Sequence, residues 1–352
     1  MISRRSFIRR AAGLSAGIAL QPWTHGWAHS AAAVRFDLHA HPGLFPARGL
    51  PGYGGDNGVA KTIGEMKSGK VTGAFFSLVA DLPNIKPGPA GIELIGGYEK
   101  GAGWKEYQRQ LANFRELLVA NQLTVARSAK DLDLAGSKGT VAVFLASEGG
   151  DFLEGSSERV SEMAADGVRS IQLVHYHPNE LGDLQTENPA HQGLSAAGKE
   201  VVRKMNASKI LIDVAHASFE TTKAVCELTT QPVMLSHSIL QAEGSRPLSR
   251  RAITPQHAKI VAATGGVIGA WPSGFNTSFD DFVDNTLRLV DVAGIDHVGL
   301  GTDIDGNFKP VLSSYLQLDD WRAALLAKGM SAAEADQVLG GNARRVINQV
   351  IG

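Results

Sequence analysis

Val34-Arg35-Phe36-Asp37-Leu38-His39-Ala40-His41 is a short apolar run that ends in two imidazoles, and the same layout recurs along the chain. Val141 to Ala146 delivers Glu148-Gly149-Gly150, Ile210 to Ala215 delivers His216, Pro232 to Leu235 delivers His237 inside Ser236-His237-Ser238, and Val298 to Thr302 delivers Asp303. Val71 to Val79, Val168 to Val174 and Gly266 to Trp271 are three further runs, which makes eight. Helical stretches lie between them. Ala196 to Asn206 is opened by Ser195 as N-cap, and Pro255 to Ala263 by Thr254, with proline suited to the first turn. Strand and helix alternating eight times, with polar residues where the strands exit, predict an α/β fold of the (β/α)8 barrel type with its chemistry on the C-terminal rim.

No Pro/Gly/Ser linker splits the 352 residues, so residues 33–352 read as one catalytic barrel. Its longest excursion, at about 81–138, reads as an elaborated connection in which Trp104 to Gln122 has a charged amphipathic helix pattern. Gly-rich Gly49 to Gly58 reads as a loop over the site, and Ser331-Ala-Ala-Glu334 as a capping box before a last helical segment reaching Val350. A net charge of −1 without basic clusters beyond the N-terminus argues against a nucleic-acid partner. No span approaches the roughly 20 apolar residues of a membrane helix. Cys226 is the only cysteine, which excludes an intramolecular disulfide and a cysteine-based zinc site.

Residues 1–32 read as a twin-arginine signal peptide. Ser3-Arg4-Arg5-Ser6-Phe7-Ile8 precedes the apolar Ala11 to Leu20, and small residues at Ser30 to Ala33 offer a cleavage site. This predicts export of an already folded, metal-loaded protein by the Tat translocase, and residence in the periplasm.

Each polar residue has a bland reading. A lone buried histidine is more often a hydrogen-bonded core residue than a ligand. Glu148 before two glycines could simply end a strand, and Asp303 in Gly301-Thr-Asp-Ile-Asp305-Gly306 could form a turn or a calcium-like loop. The joint occurrence on five strand ends favours a metal centre, and the His39-Ala40-His41 pair is the strongest member because a strand sends alternate residues to one face. His175 ends the fourth run and faces the same rim. His25 and His29 lie in the signal region, His257 in an outer helix, His297 at the opposite end of the eighth strand, and His177 and His191 in a solvated loop.

Taken together, these residues resemble the membrane (renal) dipeptidases, peptidase family M19, within the amidohydrolase-like barrels. The resemblance is carried by Glu148-Gly149-Gly150, Leu173-Val174-His175 with Asn179, Gly193-Leu194-Ser195, Ile212-Asp213-Val214-Ala215-His216-Ala217-Ser218, Ser236-His237-Ser238, Ser249-Arg250-Arg251, His297-Val-Gly-Leu-Gly-Thr-Asp303-Ile-Asp-Gly306 and Gly340-Gly341-Asn342. It implies a zinc-dependent dipeptidase with two Zn2+ per chain bridged by Glu148, one held by His39 and His41 and the other by His216 and His237. A hydroxide between the ions would attack the peptide carbonyl. Asp303, which also touches a zinc in this reading, would take its proton, and His175 would stabilise the oxyanion. Arg251 would clamp the substrate carboxylate. A homodimer is suggested by analogy.

The chain departs from the family at the first strand, where His41 replaces the aspartate of a His-x-Asp pattern. A neutral ligand leaves the site more positive and a poorer neighbour for the ammonium of a free dipeptide. An amidohydrolase acting on N-acyl amino acids or β-lactams is the alternative reading, and a noncatalytic metal-binding barrel the alternative of another class. Smaller departures are Thr302 for a glycine and Ala252 for an asparagine.

Overall fold

The computed structural model describes residues 34–352 except 51, 52, 54, 89, 90 and 242–248; the twin-arginine segment lies outside the described residues. Eight parallel strands close into a barrel: β1 Phe36–Ala40, β2 Gly73–Val79, β3 Ala142–Glu148, β4 Val168–Gln172, β5 Leu211–Asp213, β6 Met234–Leu240, β7 Val267–Ala270 and β8 Val298–Leu300. Each strand pairs with the next, and β8 returns to β1 with Asp37 opposite Leu300. All eight coincide with the apolar runs of the sequence. Their side chains are almost wholly buried, as expected of parallel strands covered by helices.

Helix starts follow local chemistry. Ser195 Oγ accepts the Gly198 N–H and Thr254 Oγ1 the His257 N–H, and Ser331 with Glu334 forms the reciprocal capping box. Phe36, Phe75 and Phe144 stand on three adjacent strands with ring centroids 5.4–5.7 Å apart, tying β1, β2 and β3 together. Burying each such ring stabilises the fold by about 1.5–3 kcal/mol.

The excursion after β2 contains an antiparallel hairpin, Ile85–Gly88 with Gly91–Leu94, then helices Ala102–Ala120 and Ala129–Lys138. Two details differ from the sequence expectation. The Gly49 to Gly58 stretch is not loop throughout, because a helix begins at Asp56, whose carboxylate suits the positive end of the helix dipole. Ala252–Ile253 adds a two-residue strand beside Ile239–Leu240, at the edge of the barrel. Among the described residues no helix is long and apolar enough to cross a membrane.

β6, β7 and β8 approach so closely that the Ser236 carbonyl oxygen would lie 1.8 Å from a Cβ at Gly269 and 1.9 Å from one at Gly301. Both glycines are there for space, directly beneath the residues that carry His237 and Asp303. Gly301→Ala should therefore destabilise the protein by about 3 kcal/mol or more, at the upper end of overpacking costs. Urea midpoints of the two proteins check this, and equal midpoints would show that the strands can part at no cost.

Candidate metal centre

The site residues expected from the sequence lie within the later part of a barrel strand or in the segment that follows it. His39 and His41 leave β1, Glu148 ends β3, His175 follows β4, His216 follows β5, His237 lies within β6, Arg251 follows it, and Asp303 follows β8. Their functional atoms meet around one carboxylate. Glu148 Oε1 lies 3.3 Å from His39 Nε2, 3.3 Å from His175 Nε2, 3.4 Å from His216 Nε2 and 3.8 Å from His237 Nε2; Oε2 lies 3.1 Å from His41 Nε2. Asp303 Oδ1 is 3.4 Å from His41 Nε2. All of these residues are buried.

Backbone conformation shows the demand that this convergence makes. His216 and Asp303 both adopt positive φ, 63° and 53°, where non-glycine residues are rarely found unless the surroundings enforce it. The enforcement is visible: the Asp303 N–H donates to the His39 carbonyl, and the His216 carbonyl accepts the Gln185 N–H.

Charge is distributed unevenly around the ring of imidazoles. Burial alone would push the Glu148 carboxyl up, but the imidazoles beside it, His175 and His39 foremost, hold it well below the usual carboxylate range. Burial, reinforced by the Arg251 guanidinium and neighbouring imidazoles, holds His216 and His237 well below the usual imidazole range. Both rings are therefore neutral and each keeps a lone pair. Against burial, Asp303 and Glu148 push His41 up to about 10. Its Nδ1–H donates to the Ser77 carbonyl at 2.9 Å, so the extra proton sits on Nε2 between the two carboxylates.

This donor set fits divalent metal. Two ligands at about 2.0–2.1 Å from a tetrahedral ion stand about 3.3–3.4 Å apart; here the Nε2 atoms of His39 and His41 are 3.0 Å apart, as are those of His216 and His237. Among the described residues three groups hold all their donor atoms within 4.8 Å: His39, His41 and Asp303; His39, Glu148 and His237; and Glu148, His175 and His216. Glu148 belongs to two of them. Arg251 already answers the same lone pairs, with an amino group 2.9 Å from His216 Nε2 and 3.3 Å from His237 Nε2.

Several residues at the centre escaped the sequence reading. Asp81, two residues past β2, accepts the Nδ1–H of His175 at 2.7 Å. Asp81 and Glu148 together outweigh burial and raise the imidazole of His175 above its ordinary range. Tyr176 and Trp271 flank Arg251, whose guanidinium carbon lies 5.9 Å and 5.3 Å from their ring centres, and Gln185 Oε1 accepts from it at 2.7 Å. His177 is not the solvated residue expected: it is half-buried and paired with Asp151 at 2.8 Å, because the buried Asp151 carboxylate requires a donor. His257 is buried within its outer helix, its Nε2 2.8 Å from Thr222 Oγ1.

Residues 55–351 match the family model described as membrane dipeptidase, peptidase family M19. The chain belongs to that family. Glu148, His175, His216, His237, Arg251 and Asp303 lie inside the matched span, whereas His39 and His41 precede it. Among curated relatives, dipeptidase aclJ of Aspergillus oryzae is 32% identical over 255 residues, covering 69% of this chain and 58% of that protein. Dipeptidase tcpJ of Claviceps purpurea is 29% identical over 337 residues, covering 92% and 75%. In fold, the chain is similar to a metallo peptidase of Rhodobacter sphaeroides solved with a phosphinate mimic of the dipeptide L-Ala-D-Ala. That likeness has a TM-score of 0.77 at 20% identity, over 90% of this chain and 99% of that one. The expected family, the barrel and its class as a dipeptidase-type hydrolase agree with these findings.

The proton on His41 makes metal uptake pH-dependent. A ligand nitrogen raised to about 10 must lose its proton to bind, so affinity at the His39–His41 position should rise with pH throughout the range below about 10 and level off above it. Calorimetric titration of metal-free protein in buffers of different ionisation enthalpy should register proton release at pH 7. Uptake without protons would mean that His41 is neutral beforehand.

Proposed function

We propose that this family member is a zinc-dependent dipeptidase that holds two ions, is exported by the Tat translocase and works in the periplasm. One observation carries the catalytic reading: four imidazoles and two carboxylates converge in ligand geometry, with His175 and Arg251 beside them. His39, His41 and Asp303 would hold one ion, His216 and His237 the other, and Glu148 would bridge. Zinc held there supplies Lewis acidity that makes water a usable nucleophile at neutral pH. The arginine pair and its apolar followers at the N-terminus support export. The family resemblance supports a homodimer only by analogy.

The protein's own groups account for the remaining work. Arg251, seated between aromatic faces, would fix the carboxylate end of the substrate and thereby set where the peptide bond lies. His175, with Nδ1–H committed to Asp81, presents its Nε2 proton to the carbonyl oxygen and stabilises the negative charge that develops there. Asp303 accepts the proton of the attacking water at a carboxylate oxygen and returns it to the leaving amine. Burial excludes competing solvent and strengthens each of these interactions.

Elemental analysis of the mature protein should approach two zinc equivalents, and Glu148→Gln should lose metal and activity together. Full activity with one equivalent under zinc excess would eliminate the two-ion reading. His175→Ala should leave metal content intact and lower kcat on the best dipeptide by about two to three orders of magnitude. Near wild-type turnover in that variant would mean that another group polarises the carbonyl.

His41 favours a refinement of the substrate. With an imidazole where relatives carry a carboxylate, N-acylated substrates should be favoured relative to free dipeptides, and His41→Asp should reverse the shift. The test compares kcat/KM for a free dipeptide and its N-acylated counterpart in both proteins at equal zinc content. An unchanged ratio removes ligand charge as the determinant.

A further inference from the structure

Asp81 leaves β2 and reaches across to the exit of β4, two strands further round the barrel. Its carboxylate is fully buried. It accepts three hydrogen bonds from three consecutive residues: His175 Nδ1–H at 2.7 Å, the Tyr176 N–H at 3.0 Å and the His177 N–H at 2.9 Å. Oδ1 is given to the imidazole and Oδ2 to the two backbone donors. The other ring nitrogen of His175 is 3.3 Å from Glu148 Oε1, at the heart of the centre. One carboxylate thus fixes both the side chain and the backbone of the same strand exit.

A buried carboxylate costs several kcal/mol of desolvation unless its lone pairs are well used, and closing a turn onto two N–H groups needs only a neutral acceptor such as asparagine. The imidazole bond is what a carboxylate adds. With Nδ1–H anchored, the ring plane is set and Nε2 can point only toward Glu148. We propose that Asp81 is a positioning residue for His175: by holding Nδ1–H it locks the ring's rotamer, so that the opposite nitrogen, Nε2, is aimed at the scissile carbonyl. The assignment of a carbonyl to that nitrogen rests on the dipeptidase reading; the locking of the ring does not.

The test uses the zinc-loaded mature enzyme and its Asp81→Asn, His175→Ala and doubly substituted variants. Asp81→Asn should lower kcat by about 10–100-fold, the usual cost of losing the outer partner of a functional imidazole, while KM and zinc content stay within about twofold. In the His175→Ala background the same substitution should cost almost nothing further, because the residue it positions is gone. Losses that add independently, or that appear in KM and zinc content instead of kcat, overturn the proposal in favour of a structural staple. A second readout does not depend on turnover: a strongly hydrogen-bonded Nδ1–H gives a downfield proton NMR resonance, which should vanish on removal of His175 and shift in Asp81→Asn. Absence of any His175-dependent resonance also overturns it. A wild type without turnover on dipeptides sinks the dipeptidase reading alone, since the resonance still decides whether Asp81 holds the ring.

Discussion

The Glu148 carboxylate, buried among five imidazoles, is the interaction on which the rest of the centre depends. An anion removed from water inside a barrel mouth is costly unless positive charge or strong donors surround it. Here five imidazoles face it, from strands β1 and β6 and from the exits of β1, β4 and β5. Four of the five rings have their second nitrogen answered as well, whereas the buried His216 Nδ1 has no partner among the described residues. Ser77 serves His39 and His41, Ser236 serves His237, and Asp81 serves His175. The polar layer at the top of the barrel is thus a chain of obligations that begins at one carboxylate.

Such a layer can be held only by a rigid frame. The barrel supplies it through strands packed to the limit of backbone contact at Gly269 and Gly301 and through an aromatic wedge joining β1, β2 and β3. The left-handed backbone at His216 and Asp303 costs of order 1–3 kcal/mol at each position. That cost is tolerated because backbone hydrogen bonds, Asp303 to His39 on β1 and His216 to Gln185, hold both residues in place. At these two strand exits the backbone conformation turns the side chain inward.

The sequence made the frame legible because parallel strands covered on both faces are apolar without interruption, and eight such runs were visible. His39 and His41 were legible as a pair because alternation along a strand is a local rule. Helix starts at Ser195, Thr254 and Ser331 were legible for the same reason: a cap is a contact between residues three apart. Asp81 was not, because an acidic residue after a strand reads as a turn former, and its partner lies 94 positions later. The hairpin at Ile85–Leu94 and the short strand at Ala252–Ile253 carry too little apolar pattern to stand out from loop. His177 looked solvated because its partner Asp151, 26 residues earlier, gave no local sign of being buried.

Arg251, proposed above to clamp the substrate, also touches the imidazoles that would hold metal. Its guanidinium donates to the lone pairs of His216 and His237, the same atoms a cation would take. Two positive charges cannot share those lone pairs, so an ion held there requires the guanidinium amino group to withdraw. The surroundings provide for that withdrawal. Gln185 Oε1 accepts from the opposite amino group, and the faces of Tyr176 and Trp271 attract the delocalised charge from both sides. An arginine so held keeps partners when it leaves the imidazoles and stays close to the centre. In the dipeptidase reading proposed above, the donors so freed would be offered to the substrate carboxylate in place of the imidazoles.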